Sequence, residues 1–245
     1  MVAPLDILAI GAHPDDVEMT SGGYLALAAD KGSRVGILHL SKGEMGTRGS
    51  VPLRVKEAAA AAKTLGAVEM RFGELKDGHI HCDDASIATV VAQLRELRPM
   101  LVIAPWTTCH HPDHEETARI VMRAVHFAGK VKYAAKGKPF NVGGLIHARY
   151  SYPFEPSFYV DISPVIGRKR DAILCYHSQF HGKRGEPQTR LSNPDFLPQF
   201  FARGHATGLV AGVQHAEEYR SHGPLVIGDP LALFAAQAPL PTLMR

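Results

Sequence analysis

The feature that most constrains this chain is the alternation of short apolar runs with helical patterns in its first half. Leu5 to Ile10 and Val35 to Leu40 are apolar runs bounded by Gly or polar turns, and Leu101 to Ala104 is a third, following Pro99. Between them, Pro52 stands where a first helical turn tolerates proline, RVKEAAAAAKTL follows, and Gly66 occupies the position after the helix. Another helix is expected to start with Asp83 or Asp84 as cap and to run through IATVVAQLRELR. Strands separated by helices of this length imply βαβ units, a parallel sheet and right-handed crossovers, hence an α/β fold.

The second half is less regular. Gly137 to Gly144 reads as loop, Leu145 to Tyr152 as a strand, and Ser163-Pro164 as a cap opening a helix toward Gln179. His181 to Arg190 is a polar loop. With no internal repeat and no linker, residues 1–245 read as a single domain, the simpler reading at roughly 150 residues per domain.

Composition excludes several classes. At 45% hydrophobic and 21% charged residues, the chain is an ordinary globular protein. Its longest apolar stretches, such as Ile7 to Ile10 and Leu101 to Pro105, fall far below the roughly 18 residues needed to cross a bilayer, so no membrane association is expected. The N-terminus has no basic segment and meets Asp6 early, which argues against a secretory signal and for a cytoplasmic protein. Cys82, Cys109 and Cys175 form no CxxC pair and suit a reducing compartment. Net charge is +3, but residues 128 to 190 hold 11 Lys/Arg against 4 Asp/Glu, which is +7 and leaves −4 elsewhere. That stretch is either a solvated basic face or a surface that attracts an anionic substrate. Nucleic acid is not expected as a partner, because no recognisable binding module accompanies the charge.

In parallel sheets, ligands bind outside the carboxyl ends of the strands. The two most polar clusters follow two of the expected strands: AHPDDVE after Leu5 to Ile10, and HHPDHEE shortly after Leu101 to Ala104. Two His and one carboxylate with an open position make a catalytic metal site. The first cluster offers His13 and Asp16, and the second offers His114. Residues three apart in the turn entering a helix can point the same way, which leaves Asp15 free for chemistry. Such an ion activates water, and a nearby carboxylate can take its proton during attack on a carbonyl, so Asp15 is the candidate base. His111 could face the reacting carbon as an imidazolium, with Asp113 fixing its tautomer and raising its pKa. Cys109 and His110 adjoin the cluster but are not expected as ligands, and His79 and His81 read as surface loop residues. Arg54 stands behind the KGEMGTRG loop, either as a solvated helix residue or as a group reaching a polar ligand. Glu44 in that loop is a candidate contact to substrate hydroxyls.

AHPDDVE, the KGEMGT loop, the R-x-x-E-A helix start at Arg54 and HPDH after a mid-chain strand resemble the LmbE/PIG-L family of zinc-dependent N-acetylglucosaminyl deacetylases. KGEMGT together with YHSQF, from Tyr176 to Phe180, is most similar to the bacillithiol-biosynthesis branch, which deacetylates N-acetylglucosaminyl-malate. The resemblance covers about residues 5–228. It implies zinc on His13, Asp16 and His114, Asp15 as general base, His111 as electrostatic or acid partner, and Arg54 on the substrate. It also implies a Rossmann-like, mostly parallel sheet with helices on both faces, a small-molecule GlcNAc conjugate as substrate, and homo-oligomers, trimeric or hexameric. Many relatives carry a Tyr before Ala-Glu near the C-terminus that polarises the carbonyl, whereas this chain has His215 before Ala216-Glu217. His215 is therefore a candidate substrate contact.

Other readings remain open from sequence. The chemistry is compatible with free GlcNAc, a chitobiose-like sugar or an inositol conjugate as substrate, and with Fe2+ in place of Zn2+. Two His and one carboxylate also suit an Fe(II) oxygenase, although such sites usually sit on all-β scaffolds. A dinucleotide-binding GxGxxG is absent after the first strand.

Overall fold

A computed structural model describes residues 3–181 and 185–231. Expectations for positions 1–2, for 182–184 within the polar loop, and for 232–245 lie outside the described residues.

In chain order the elements are β1 (Ile7–Gly11), α1 (Asp16–Asp30), β2 (Val35–His39), α2 (Val51–Leu65), β3 (Glu69–Phe72), α3 (Asp84–Leu97), β4 (Leu101–Pro105), α4 (Pro112–Ala128) and β5 (Gly144–Ala148). They continue with β6 (Phe158–Asp161), α5 (Ile166–Leu174), α6 (His177–Phe180), α7 (Phe196–Ala211) and β7 (Ala216–Ser221). The seven strands form one sheet in the order β3-β2-β1-β4-β5-β7-β6. The first five are parallel, whereas β7 runs antiparallel to both β5 and β6.

The period of two along β1 divides the core into two layers. Ile7 and Ala9 face Leu25 of α1, Leu65 of α2 and Ile173 of α5, while Leu8 and Ile10 face Val91 and Leu94 of α3 and Val121 of α4. Helices thus cover both faces, as a doubly wound sheet requires. Local chemistry sets the helix ends. The Asp83 carboxylate accepts from Ser86 N at 2.8 Å to cap α3, and Gly66 closes α2 at φ 80°.

Strand order reverses between β1 and β4, and their carboxyl ends open the crevice where such sheets bind ligands. The AHPDD and HHPDH clusters both begin there. The loop carrying Lys130, Lys132, Lys136 and Lys138 precedes β5 and lies at the opposite sheet edge. The basic stretch is therefore divided, and only part of it faces the crevice. The helix expected from Ser163 to Gln179 is broken: a 3-10 turn, Ser163–Val165, leads into α5, and α6 starts anew at His177. Among the described residues, no helix is long and apolar enough to cross a membrane.

Candidate metal centre

The β1 turn and the first turn of α4 bring His13, Asp16 and His114 together. Asp16 lies between the two imidazoles, with Oδ2 3.4 Å from His13 Nδ1 and Oδ1 3.1 Å from His114 Nε2. His13 N also donates to Asp16 Oδ2 at 2.8 Å, which fixes the turn. The opposite face of the His13 ring is held by two carboxylates, Asp77 Oδ1 at 3.0 Å and Asp113 Oδ2 at 3.2 Å from Nε2. Asp77 also accepts from Met45 N, and Asp113 from Gly78 N at 2.7 Å.

These residues fit a divalent ion. Donors sharing one tetrahedral ion at bond lengths of about 2.0–2.1 Å stand about 3.3 Å apart, close to the Asp16 separations found here. Three buried carboxylates surround His13, and buried negative charge of this density calls for a cation. Among the described residues, the donor groups whose atoms gather closely enough to share one ion are His13, His111 and His114, and His13, Asp77 and Asp113, while Asp16 reaches His13 and His114 through different oxygens. The second group meets at His13 Nε2, which faces two carboxylates, while Nδ1 faces Asp16. We therefore read Asp77 and Asp113 as groups that orient His13, the outer arrangement common to metal-ligating histidines.

Burial opposes charge on both imidazoles, but their carboxylates win. His13 is raised well above its usual range by Asp113, Asp16 and Asp77, and His114 is lifted to about 9, chiefly by Asp16. Asp16, despite burial, is held well below the usual carboxylate range by the two imidazoles.

Asp15 caps α1 with φ 97°, a left-handed conformation rare outside glycine and typical of residues held under strain at functional sites. It is 6% exposed. Burial raises its carboxyl to about 7, against the opposing pull of Arg54. Arg54, itself buried, donates from Nη2 to Pro14 O at 2.8 Å and lies 3.4 Å from Asp15 Oδ2. Its Nη1 donates to Gly43 O at 3.2 Å, and a Cβ on Gly43 would stand only 1.9 Å from that nitrogen, so glycine is needed there. Arg54 thus ties the KGEMGT loop to the strained turn while lining the cleft.

The structure places four of the expected site residues differently. The Asp113 carboxylate faces His13 and Gly78 rather than His111; it is the Asp113 backbone N–H that meets His111, donating to Nδ1 at 3.2 Å to cap α4. With Nδ1 accepting, His111 has Nε2 left to donate, and burial together with the charges of His114 and His13 lowers its pKa, which disfavours the imidazolium. His215 does not line the cleft; its backbone bonds Ser163 and its ring packs 5.5 Å from His205. Glu44 lies exposed at the loop edge, its carboxylate accepting from Lys42 N at 3.2 Å, while Met45, Gly46 and Thr47 form the wall.

The cleft over the His/Asp cluster has a volume of about 770 Å³, within the range of small-molecule sites. Its far side contains residues the sequence did not single out, among them Tyr150, Arg190 and Arg203. Gln179 Nε2 donates to Arg48 O at 2.8 Å, and Ser178 packs against Gly49, so the YHSQF segment braces the KGEMGTRG loop. Asp77 was also missed, because it stands in a polar loop after a half-buried edge strand with no periodic pattern.

A family model described as PIG-L: GlcNAc-PI de-N-acetylase matches residues 8–125, a span that includes both His/Asp clusters. The chain is 31% identical over 247 residues to 1D-myo-inositol 2-acetamido-2-deoxy-alpha-D-glucopyranoside deacetylase of Rhodococcus erythropolis, covering 86% of this chain and 77% of the relative. It is 29% identical over 189 residues to diacetylchitobiose deacetylase of Thermococcus kodakarensis, covering 71% and 70%. Among solved structures, a conserved protein from Thermus thermophilus superposes with a TM-score of 0.84 at 36% identity, over 91% of this chain and 97% of that one. The chain spans 59% to 77% of the length of the first curated relatives it matches.

Proposed function

This chain belongs to the PIG-L family, and from that premise we propose that it is a metal-dependent hydrolase that removes the N-acetyl group from a GlcNAc conjugate, with N-acetylglucosaminyl-malate as the substrate. The observation that carries the reaction type is Asp15, a buried carboxylate unused as a cap, beside the His13, Asp16 and His114 donor set in an open cleft. Zn2+ is the ion we assign, with Fe2+ as an alternative occupant of the same donors. When bound, such an ion supplies Lewis acidity to water and carbonyl oxygen.

The chain's own groups then divide the work. His13 and His114 are positioned by their outer partners, so the donor set is pre-organised. Asp15 takes the proton of the attacking water and, once protonated, delivers it to the departing amine as the C–N bond breaks, leaving acetate and a free amine. Arg54 holds the Pro14-Asp15 turn in its strained conformation. The neutral His111 donates from Nε2 to the oxyanion that develops on the former carbonyl.

For the aglycone, Arg190 and Arg203 line the cleft, and among the described residues neither has a carboxylate within ion-pair distance. A substrate carboxylate there would gain charge-assisted hydrogen bonds without displacing an existing ion pair. This supports malate over a neutral inositol or second sugar, as do the KGEMGT and YHSQF segments. The test is free-amine release from the malate conjugate, GlcNAc, diacetylchitobiose and the GlcNAc-inositol conjugate. The reading predicts the highest kcat/KM for the malate conjugate; equal or better turnover of a neutral conjugate would refute the aglycone assignment but leave the hydrolase. A cytoplasmic location and a trimeric or hexameric assembly belong to the same reading.

A further inference from the structure

The two histidines of the metal centre are supported differently. His13 has two carboxylates behind it, whereas among the described residues the outer nitrogen of His114, Nδ1, meets only the Cys109 sulfur, at 3.1 Å. Cys109 is 7% exposed and its sulfur is fixed from a second side, with Ser151 Oγ donating to it at 3.1 Å. Ser151 Oγ in turn accepts from His110 N at 3.2 Å, and Cys109 N donates to Glu115 Oε1 at 2.9 Å. The sulfur is thus locked between the turn before α4 and the segment after β5, with donors on both sides.

We infer that Cys109 is a positioning residue: its sulfur accepts the Nδ1–H of His114 and so presents Nε2 to the ion beside Asp16. A ligating histidine almost always gives its outer N–H to a carboxylate, a carbonyl or water. Sulfur is a weaker acceptor, so the centre is held firmly at His13 and more softly at His114. His114 Nε2 faces Asp16 Oδ1 while Nδ1 faces the sulfur, so sulfur and ion occupy opposite sides of one ring. This separates Cys109 from a direct ligand. The inference rests on the metal-centre reading above, extending it to a residue no other part of the account uses.

The test is Zn2+ affinity by competition with a chromogenic chelator for wild type, Cys109→Ser and Cys109→Ala, with melting of each metal-free protein as a folding control. Cys109→Ala is expected to bind Zn2+ about tenfold more weakly, while Cys109→Ser, which keeps an acceptor, stays within about threefold of wild type. The Co2+-loaded wild type should show no thiolate-to-cobalt charge-transfer band. Equal affinity in all three proteins would overturn the inference, as would an equal loss in both variants or a charge-transfer band marking sulfur as a ligand. A wild-type chain that binds no Zn2+ would overturn the metal centre and this inference with it, whereas normal wild-type binding with an unaffected Cys109→Ala overturns the inference alone.

Discussion

The two carboxylates behind His13 offer a graded perturbation. In Asp113→Asn, the side-chain oxygen can still accept from His13 Nε2 and from Gly78 N, whose present distances to the carboxylate are 3.2 and 2.7 Å, so the substitution removes charge with little change of shape. Asp77, 3.0 Å from the same nitrogen, remains as a second acceptor. Loss of an outer partner of a metal-ligating histidine costs on the order of 10–100-fold in metal affinity. With one carboxylate left in place, Asp113→Asn should fall at the low end, about tenfold or 1.4 kcal/mol, and the Asp77→Asn/Asp113→Asn pair at about a hundredfold or 2.7 kcal/mol. Competition titration with a chromogenic chelator at fixed pH and salt measures both, and melting of the metal-free proteins checks the fold. Affinity within twofold of wild type in the double variant would refute the outer role of these carboxylates.

Other outcomes follow from the same geometry. Asp15→Asn should keep full Zn2+ occupancy yet lose on the order of a hundredfold or more in turnover, as for a lost general base, and an active variant would remove Asp15 from that role. His114→Ala should lose the metal, which elemental analysis reads directly. Arg190→Gln should raise KM for the malate conjugate about tenfold, the scale of one charged hydrogen bond, while leaving GlcNAc turnover unchanged. His147 is fully buried on β5, and burial lowers its pKa from 6.5 to about 4. Its neutral form is the folded form, so its contribution is complete above pH 6.5 and is lost as pH falls toward 4, amounting to roughly 2 kcal/mol by pH 5. Urea unfolding at pH 7 and pH 5 should show that loss in wild type and a smaller one in His147→Asn; equal losses would contradict the assignment.

The first half of the fold was legible because its elements obey simple periods. β1 and β4 are apolar on both faces, β2 departs from that only at the buried His39, α2 is framed by Pro52 and Gly66, and α3 is capped by Asp83. That His13, Asp16 and His114 meet was legible because both clusters follow strands that sit side by side, β1 and β4. What escaped has physical reasons. β3 is a half-buried edge strand whose Glu69 and Arg71 pair with each other at 2.8 Å, so it shows no apolar run. β7 reads as polar because Glu217 is used inside: its carboxylate accepts from Gly23 N, Tyr24 N, Lys169 Nζ and Tyr219 Oη. α7 carries Pro198 in its first turn and two glycines, which weaken any helical signal. The mistaken pairing of Asp113 with His111 came from proximity in sequence, whereas the first turn of α4 points that carboxylate at His13 instead.

Two strand-end clusters, AHPDD and HHPDH, are proposed to build one catalytic metal centre. Its most direct test is amine release from N-acetylglucosaminyl-malate by protein whose metal content is measured before chelation, after chelation and after Zn2+ is restored. One ion per chain is expected, with loss of turnover in step with its removal and recovery on its return. Undiminished turnover by metal-free protein would contradict that proposal.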